Sequence, residues 1–130
     1  MTDLIYKIAT AEQWQAAQAS GVFAGAPVDL ADGFIHFSTA TQVRETAAKH
    51  FAGQDGLVLA AFDPARFGDA LKWEPSRGGA LFPHLYRSFT MAEALWAKPF
   101  VWRDGAHDFS GLLPGLLPGS LPGSLPGSLP

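Results

Sequence analysis

No cysteine occurs among the 130 residues, which excludes a disulfide framework, Cys-ligated zinc, a thiolate nucleophile and a thiol redox switch. Charge is also scarce: charged residues make up 16% of the chain, against about 25% in an average soluble protein. The surface must then be carried largely by Gly, Ala, Ser, Thr and Gln. The nine Lys and Arg residues are scattered through a chain of net charge -3. None of them cluster in the way that neutralises phosphates, which argues against a nucleic-acid partner. No apolar run approaches the roughly 18 residues of a membrane span. The start, Met1-Thr2-Asp3-Leu4-Ile5-Tyr6-Lys7, lacks a basic region followed by an apolar one. These absences give the expectation of a cytoplasmic protein with no membrane partner.

What the chain does have is 48% hydrophobic and 12% aromatic residues, enough for one core and one cleft at this length, but not for a second catalytic domain. A single globular domain is expected over 1–110. From Gly111 the composition changes to Gly-Leu-Leu-Pro-Gly and then to a Leu-Pro-Gly-Ser repeat that runs to Pro130. Proline at a four-residue period can sustain neither a helix nor a central strand, so 111–130 is expected to be a disordered tail.

Within the domain, Leu4-Ile5-Tyr6-Lys7-Ile8 reads as a strand. Thr10 then has the chemistry of an N-cap for a helix over 11–20, which Gly21 ends. Phe34-Ile35-His36-Phe37-Ser38 reads as a second strand leading into a second helix over 41–50. There Ser38 or Thr39 serves as cap, and Gln42 or Glu45 can reach back. Leu57-Val58-Leu59-Ala60-Ala61-Phe62 is apolar throughout, the pattern of a central strand covered on both faces. A turn over 63–68 and three extended segments, 71–74, 82–86 and 95–102, follow. Two early helices and several later strands predict an α+β fold in which the helices pack on a mixed or antiparallel sheet.

Two stretches concentrate polar chemistry. In Asp32-Gly33-Phe34-Ile35-His36-Phe37-Ser38-Thr39, strand alternation places His36 and Ser38 on one face and Ile35 and Phe37 on the other. Ser38 and Thr39 either cap the following helix or, at its start, offer free N–H groups to an anion. In the second stretch, Trp73-Glu74-Pro75 sets a carboxylate beside a large aromatic. Arg77-Gly78-Gly79 adds a guanidinium on a flexible loop, and alternation aligns Phe82, His84 and Tyr86. Glu74 and Arg77 could also form no more than a surface ion pair.

Together, Ile5-Tyr6-Lys7-Ile8, Asp32-Gly33-Phe34-Ile35-His36-Phe37-Ser38-Thr39, Trp73-Glu74 and Phe82-Pro83-His84-Leu85-Tyr86 resemble the domain-of-unknown-function 952 family of small bacterial proteins, over residues 3–103. The resemblance implies an ADP-ribosyltransferase-like fold, with small sheets split around a nucleotide cleft, and NAD as the ligand. It implies Lys7 on the early strand, Ser38 and Thr39 on the second element, and Glu74 as the carboxylate.

In that arrangement Glu74 would stabilise a positively charged, oxocarbenium-like ribosyl group. His36 or His84 would bind ribose or act as general acid or base. Arg77 with Ser38 and Thr39 would hold pyrophosphate, and Tyr86 or Trp73 would stack on a ring. Catalytic roles thus fall to Glu74, His36 and His84, and binding roles to Ser38, Thr39, Arg77, Tyr86, Trp73 and Lys7. Two other classes stay open. One is a non-catalytic module for a small ligand or peptide; the other is a metal-dependent enzyme using His36, His84 and Glu74.

Overall fold

A computed structural model describes residues 3–76 and 79–113; Arg77 and the repeat segment 114–130 lie outside the described residues. Thr10 both ends β1 (Ile5–Thr10) and caps α1 (Ala11–Ser20). Its hydroxyl accepts the Gln13 N–H at 3.0 Å, and the Gln13 side-chain oxygen accepts the Thr10 N–H at 3.0 Å. Gly21 closes the helix at φ 87° with its N–H on the Ala17 carbonyl, as its place in the sequence predicts. The chain continues through β2 (Val22–Phe23), α2 (Pro27–Asp32), β3 (Ile35–His36), β4 (Ser38–Thr39), α3 (Val43–His50) and β5 (Leu57–Phe62). A 3-10 run (Pro64–Ala70) leads to β6 (Leu71–Pro75), β7 (Leu81–Leu85) and β8 (Phe89–Thr90). A second 3-10 turn (Met91–Glu93) precedes β9 (Trp96–Phe100), β10 (Trp102–Arg103) and β11 (Ala106–His107).

Every strand pairing among the described residues is antiparallel, and the class is α+β. The largest sheet has the order β4-β1-β5-β9 and a smaller one the order β3-β7-β6; β2-β8 and β10-β11 form two-stranded ribbons. β5 is the central strand that its apolar run predicts, and its residues alternate between two cores. Ala60 and Phe62 join Ile5, Ala9, Trp14, Phe37 and Phe89 on one side. Leu57, Leu59 and Ala61 join Tyr6, Ile8, Val43, Ala47 and Phe100 on the other. Both faces are covered, so a polar residue would have no place on either.

The stretch expected as one strand over 34–38 is two. β3 pairs with β7, whereas β4 pairs with β1 through Ile5↔Thr39 and Tyr6↔Ser38. Phe37 lies between them, 2% exposed, with its ring 5.3 Å from Phe62 and 5.9 Å from Phe89. Burial of that ring draws the chain from one sheet to the other, and the split between the sheets opens there.

Two further expectations are corrected. The second helix begins at Val43 rather than 41, because Thr39 and Gln42 complete their reciprocal hydrogen bonds one turn earlier. Packing also continues past residue 110, since Leu113 is 2% exposed within the core around Tyr6 and Phe109. No helix among the described residues is long and apolar enough to cross a membrane.

Candidate functional site

The pairing of β3 with β7 puts His36 directly opposite His84, with ring centroids 5.5 Å apart. Phe34 stacks on His84 at 4.1 Å and lies 4.7 Å from His36 and 5.3 Å from Tyr86. Each imidazole is held by a carboxylate of its own.

His84 owes its carboxylate to the β6-β7 register, in which Glu74 faces Phe82 and Lys72 faces His84, so Glu74, His84 and Tyr86 share a face. Nδ1–H of His84 donates to Glu74 Oε1 at 2.8 Å, and the Tyr86 hydroxyl donates to the same oxygen at 2.7 Å. These two bonds, Tyr86 first, hold the Glu74 carboxyl below its usual range, and the bond to Glu74 raises the Tyr86 phenol in return. Because a carboxylate only accepts, the proton sits on Nδ1 and leaves Nε2 of His84 as the free nitrogen. Nε2 has no partner among the described residues, and His84 forms part of a cleft wall.

His36 is held by Asp29, which sequence reasoning missed. Asp29 sits in α2 and is 1% exposed. Its Oδ1 accepts from His36 Nδ1, from the His36 backbone N–H at 3.1 Å and from Lys7 Nζ at 3.1 Å. Its Oδ2 accepts from Lys7 Nζ at 2.9 Å and from the Ala26 N–H at 2.8 Å. Burial alone would raise this carboxyl, but His36, Lys7 and Ala26 outweigh it and bring the pKa to about 2. Burial lowers the Lys7 ammonium, and Asp29 partly restores it. Nε2 of His36 meets Asp32 Oδ2 at 2.9 Å, so both ring nitrogens lie against carboxylates.

A cleft of about 540 Å³ lies where the sheets part, between β1, α2, α3 and the β3-β7 pair. His36, His84, Ser38 and Lys7 all line it, as do Tyr6 and Asp32. Its size is that of an ordinary small-molecule site, about 300 to 1,000 Å³.

The other expected residues are placed differently. Glu74 stands behind His84 rather than on the wall of this cleft, and its role toward the wall is to orient the ring. Tyr86 borders a smaller neighbouring hollow of about 210 Å³. Trp73 faces Pro83 in the register and is 45% exposed, on the opposite face of β6 from Glu74, so the two do not act as a pair. Thr39 is occupied with Gln42 and Thr41, and because the helix starts four residues later, no free helix N–H groups stand at Ser38 and Thr39. Ser38 instead exchanges a hydroxyl bond with Thr46 at 2.9 Å. Lys7 is committed to Asp29. Arg77 lies outside the described residues. No three His, Cys, Asp or Glu side chains among the described residues are grouped to hold a metal ion, and His36, His84 and Glu74 are tied to one another or to other carboxylates.

The fold and the cleft thus define a small α+β protein with a ligand-sized site between two sheets, flanked by paired imidazole–carboxylate units. The chain belongs to the family described as protein of unknown function (DUF952), whose model matches residues 8–97. It is similar to protein CC0527 from Caulobacter crescentus. The crystal structure of that protein is 50% identical, has a TM-score of 0.79, and covers 82% of this chain and 94% of its own. The solution NMR structure of the same protein gives a TM-score of 0.75. No curated protein matches this chain.

Proposed function

We propose that the cleft binds a nucleotide-class ligand, NAD or ADP-ribose, and that the Glu74–His84 unit acts at its ribose. The observation that carries this reading is the hydrogen bond from His84 Nδ1 to Glu74, which leaves one nitrogen of an oriented ring free at a cleft wall. An oriented imidazole with a free nitrogen is the requirement for general acid–base work. The splitting of the sheets at Phe37 supports an ADP-ribosyltransferase-like arrangement around the ligand.

In the transfer reaction, the bond between ribose C1′ and nicotinamide nitrogen breaks and the electron pair leaves with nicotinamide. Glu74, behind the ring, holds the His84 imidazole in place and favours the positive charge that the ring gains when it takes up a proton. An acceptor then bonds to C1′ and gives its proton to His84 Nε2.

Isothermal titration with NAD and ADP-ribose, with nicotinamide release followed by chromatography, tests this. Saturable binding of ADP-ribose is expected, with nicotinamide release lowered about 100-fold in Glu74→Gln while binding changes much less. Binding without release would leave a non-catalytic ligand module. Absence of saturable binding to either nucleotide overturns the reading.

A further inference from the structure

His36 has a carboxylate at each ring nitrogen: Asp29 Oδ1 lies 2.6 Å from Nδ1, and Asp32 Oδ2 lies 2.9 Å from Nε2. A carboxylate only accepts, so each nitrogen carries its proton and the ring is a cation. The two carboxylates differ in everything else. Asp29 is 1% exposed, forms no part of this cleft's wall, and also accepts from Lys7, the Ala26 N–H and the His36 N–H. Asp32 lines the cleft, its side chain is 47% exposed, and the bond to His36 is the only one its carboxylate makes among the described residues. Asp29 thus fixes the Nδ1 edge of the ring from the buried side, which turns the opposite edge, with its Nε2–H, toward the open side where Asp32 stands.

A cationic ring at a cleft wall, its outward N–H covered by an exposed carboxylate with a single bond, has the form of an anion site with a removable occupant. An exposed ion pair contributes little, so a ligand oxygen of the same charge can replace Asp32 at small cost while the buried Asp29 keeps the ring in place. Lys7, on the same wall, has its ammonium committed to Asp29.

We infer that His36 Nε2–H is the donor that receives a phosphate oxygen of the ligand, and that Asp32 holds its place until the ligand displaces it. This rests on the nucleotide reading for what carries the phosphate, not for the existence of the anion site. The two agree in space: His36 stands opposite His84 with ring centroids 5.5 Å apart, so a phosphate on His36 lies beside a ribose at His84, as the 5′-phosphate does in a nucleotide. Phosphate suits the donor because its charged oxygens form the same charge-assisted bond that Asp32 supplies.

Isothermal titration with ADP-ribose compares wild type with Asp32→Ala. The variant is expected to bind about tenfold more tightly, because the internal competitor is gone. Unchanged or weaker binding overturns the inference and leaves the nucleotide reading standing. Removing a negative charge also attracts an anion from a distance, so the same comparison is made on a His36→Gln background. There the gain is expected to vanish; a gain that persists is a field effect and overturns the inference. A further measurement leaves His36 in place: in wild type, the Nε2 resonance of His36 is expected to move saturably as ADP-ribose is added, while Nδ1 stays. An Nε2 resonance unmoved at saturation overturns the contact.

If neither nucleotide binds, the nucleotide reading falls by itself, and inorganic pyrophosphate decides on the anion site. Saturable movement of His36 Nε2 in wild type, reached at lower pyrophosphate in Asp32→Ala, supports it; no movement in either protein refutes it.

Discussion

Asp29 joins a buried ammonium, a backbone turn and an imidazole through one carboxylate, and its substitution is expected to be costly for that reason. Asp29→Asn keeps the shape but leaves Lys7, 5% exposed, as an uncompensated charge. A loss of about 3–5 kcal/mol is expected in urea unfolding. The same carboxyl sets an acid limit. Its pKa is 3.8 in an ordinary setting and about 2 when folded, so the unfolded chain takes up the proton first as pH falls. The contribution of Asp29 is complete above about pH 4 and disappears as pH falls toward 2, amounting to about 2 kcal/mol. Glu93, brought to about 2 chiefly by its hydrogen bonds with Arg87, steepens the same acid limb. Stability measured from pH 5 to pH 2 is therefore expected to fall less steeply in Asp29→Asn than in wild type. An unchanged slope would show that the Asp29 carboxyl is not held low. The sequence points to His36, His84, Glu74 and Tyr86 because imidazoles and a carboxylate on alternating strand positions are visible without a structure. Asp29 is not visible as their partner: nothing local distinguishes it from any acidic residue in the first turn of a helix.

At the scale of elements, α2 depends on how the chain approaches it. Pro27 fills the first helical position, where a missing N–H costs nothing, and the Asp29 side chain takes the Ala26 N–H. Gly25 precedes this turn at φ 130°, and a Cβ there would lie 3.0 Å from the Asp29 Cβ. Gly25→Ala combines that clash with a backbone conformation that favours glycine. It is expected to cost about 1–3 kcal/mol in thermal unfolding and to loosen the hold on His36. Loss of the Thr10 cap is milder: Thr10→Ala is expected to cost about 1 kcal/mol, because one helix terminus loses one partner. The two elements differ in legibility for the same reason that they differ in sensitivity. α1 carries its start and stop signals within its own residues. α2 is six residues long and is held in place largely by contacts from β1 and β3.

For the whole molecule, the decisive feature is that one short segment serves two sheets. The core continues along the chain to Leu113, which packs with Phe109 and Tyr6, while Phe109 stacks on Phe100 at 4.9 Å. Leu113→Ala is expected to lower stability by about 2–4 kcal/mol, read as a shift in the melting temperature of the entire domain. A change confined to the last residues, with the rest melting as before, would contradict this coupling. The compositional boundary at Gly111 is real in the sequence, yet burial extends past it, because two leucines before the first repeat proline are apolar enough to complete the core.

Local chemistry determined a good deal by itself. The Thr10 cap and Gly21 stop, the strand character of residues 57–62 and the α+β class all follow from interactions within a few residues or from the period of apolar side chains. The family-specific stretches also mark where polar chemistry gathers. Only the tertiary structure decided that residues 34–38 divide between two sheets, that Trp73 turns away from Glu74, and that Lys7 is neutralised by Asp29. Each of these outcomes depends on the register of strands far apart in sequence, and register is settled by which side chains bury together, a long-range balance that no short window of residues contains.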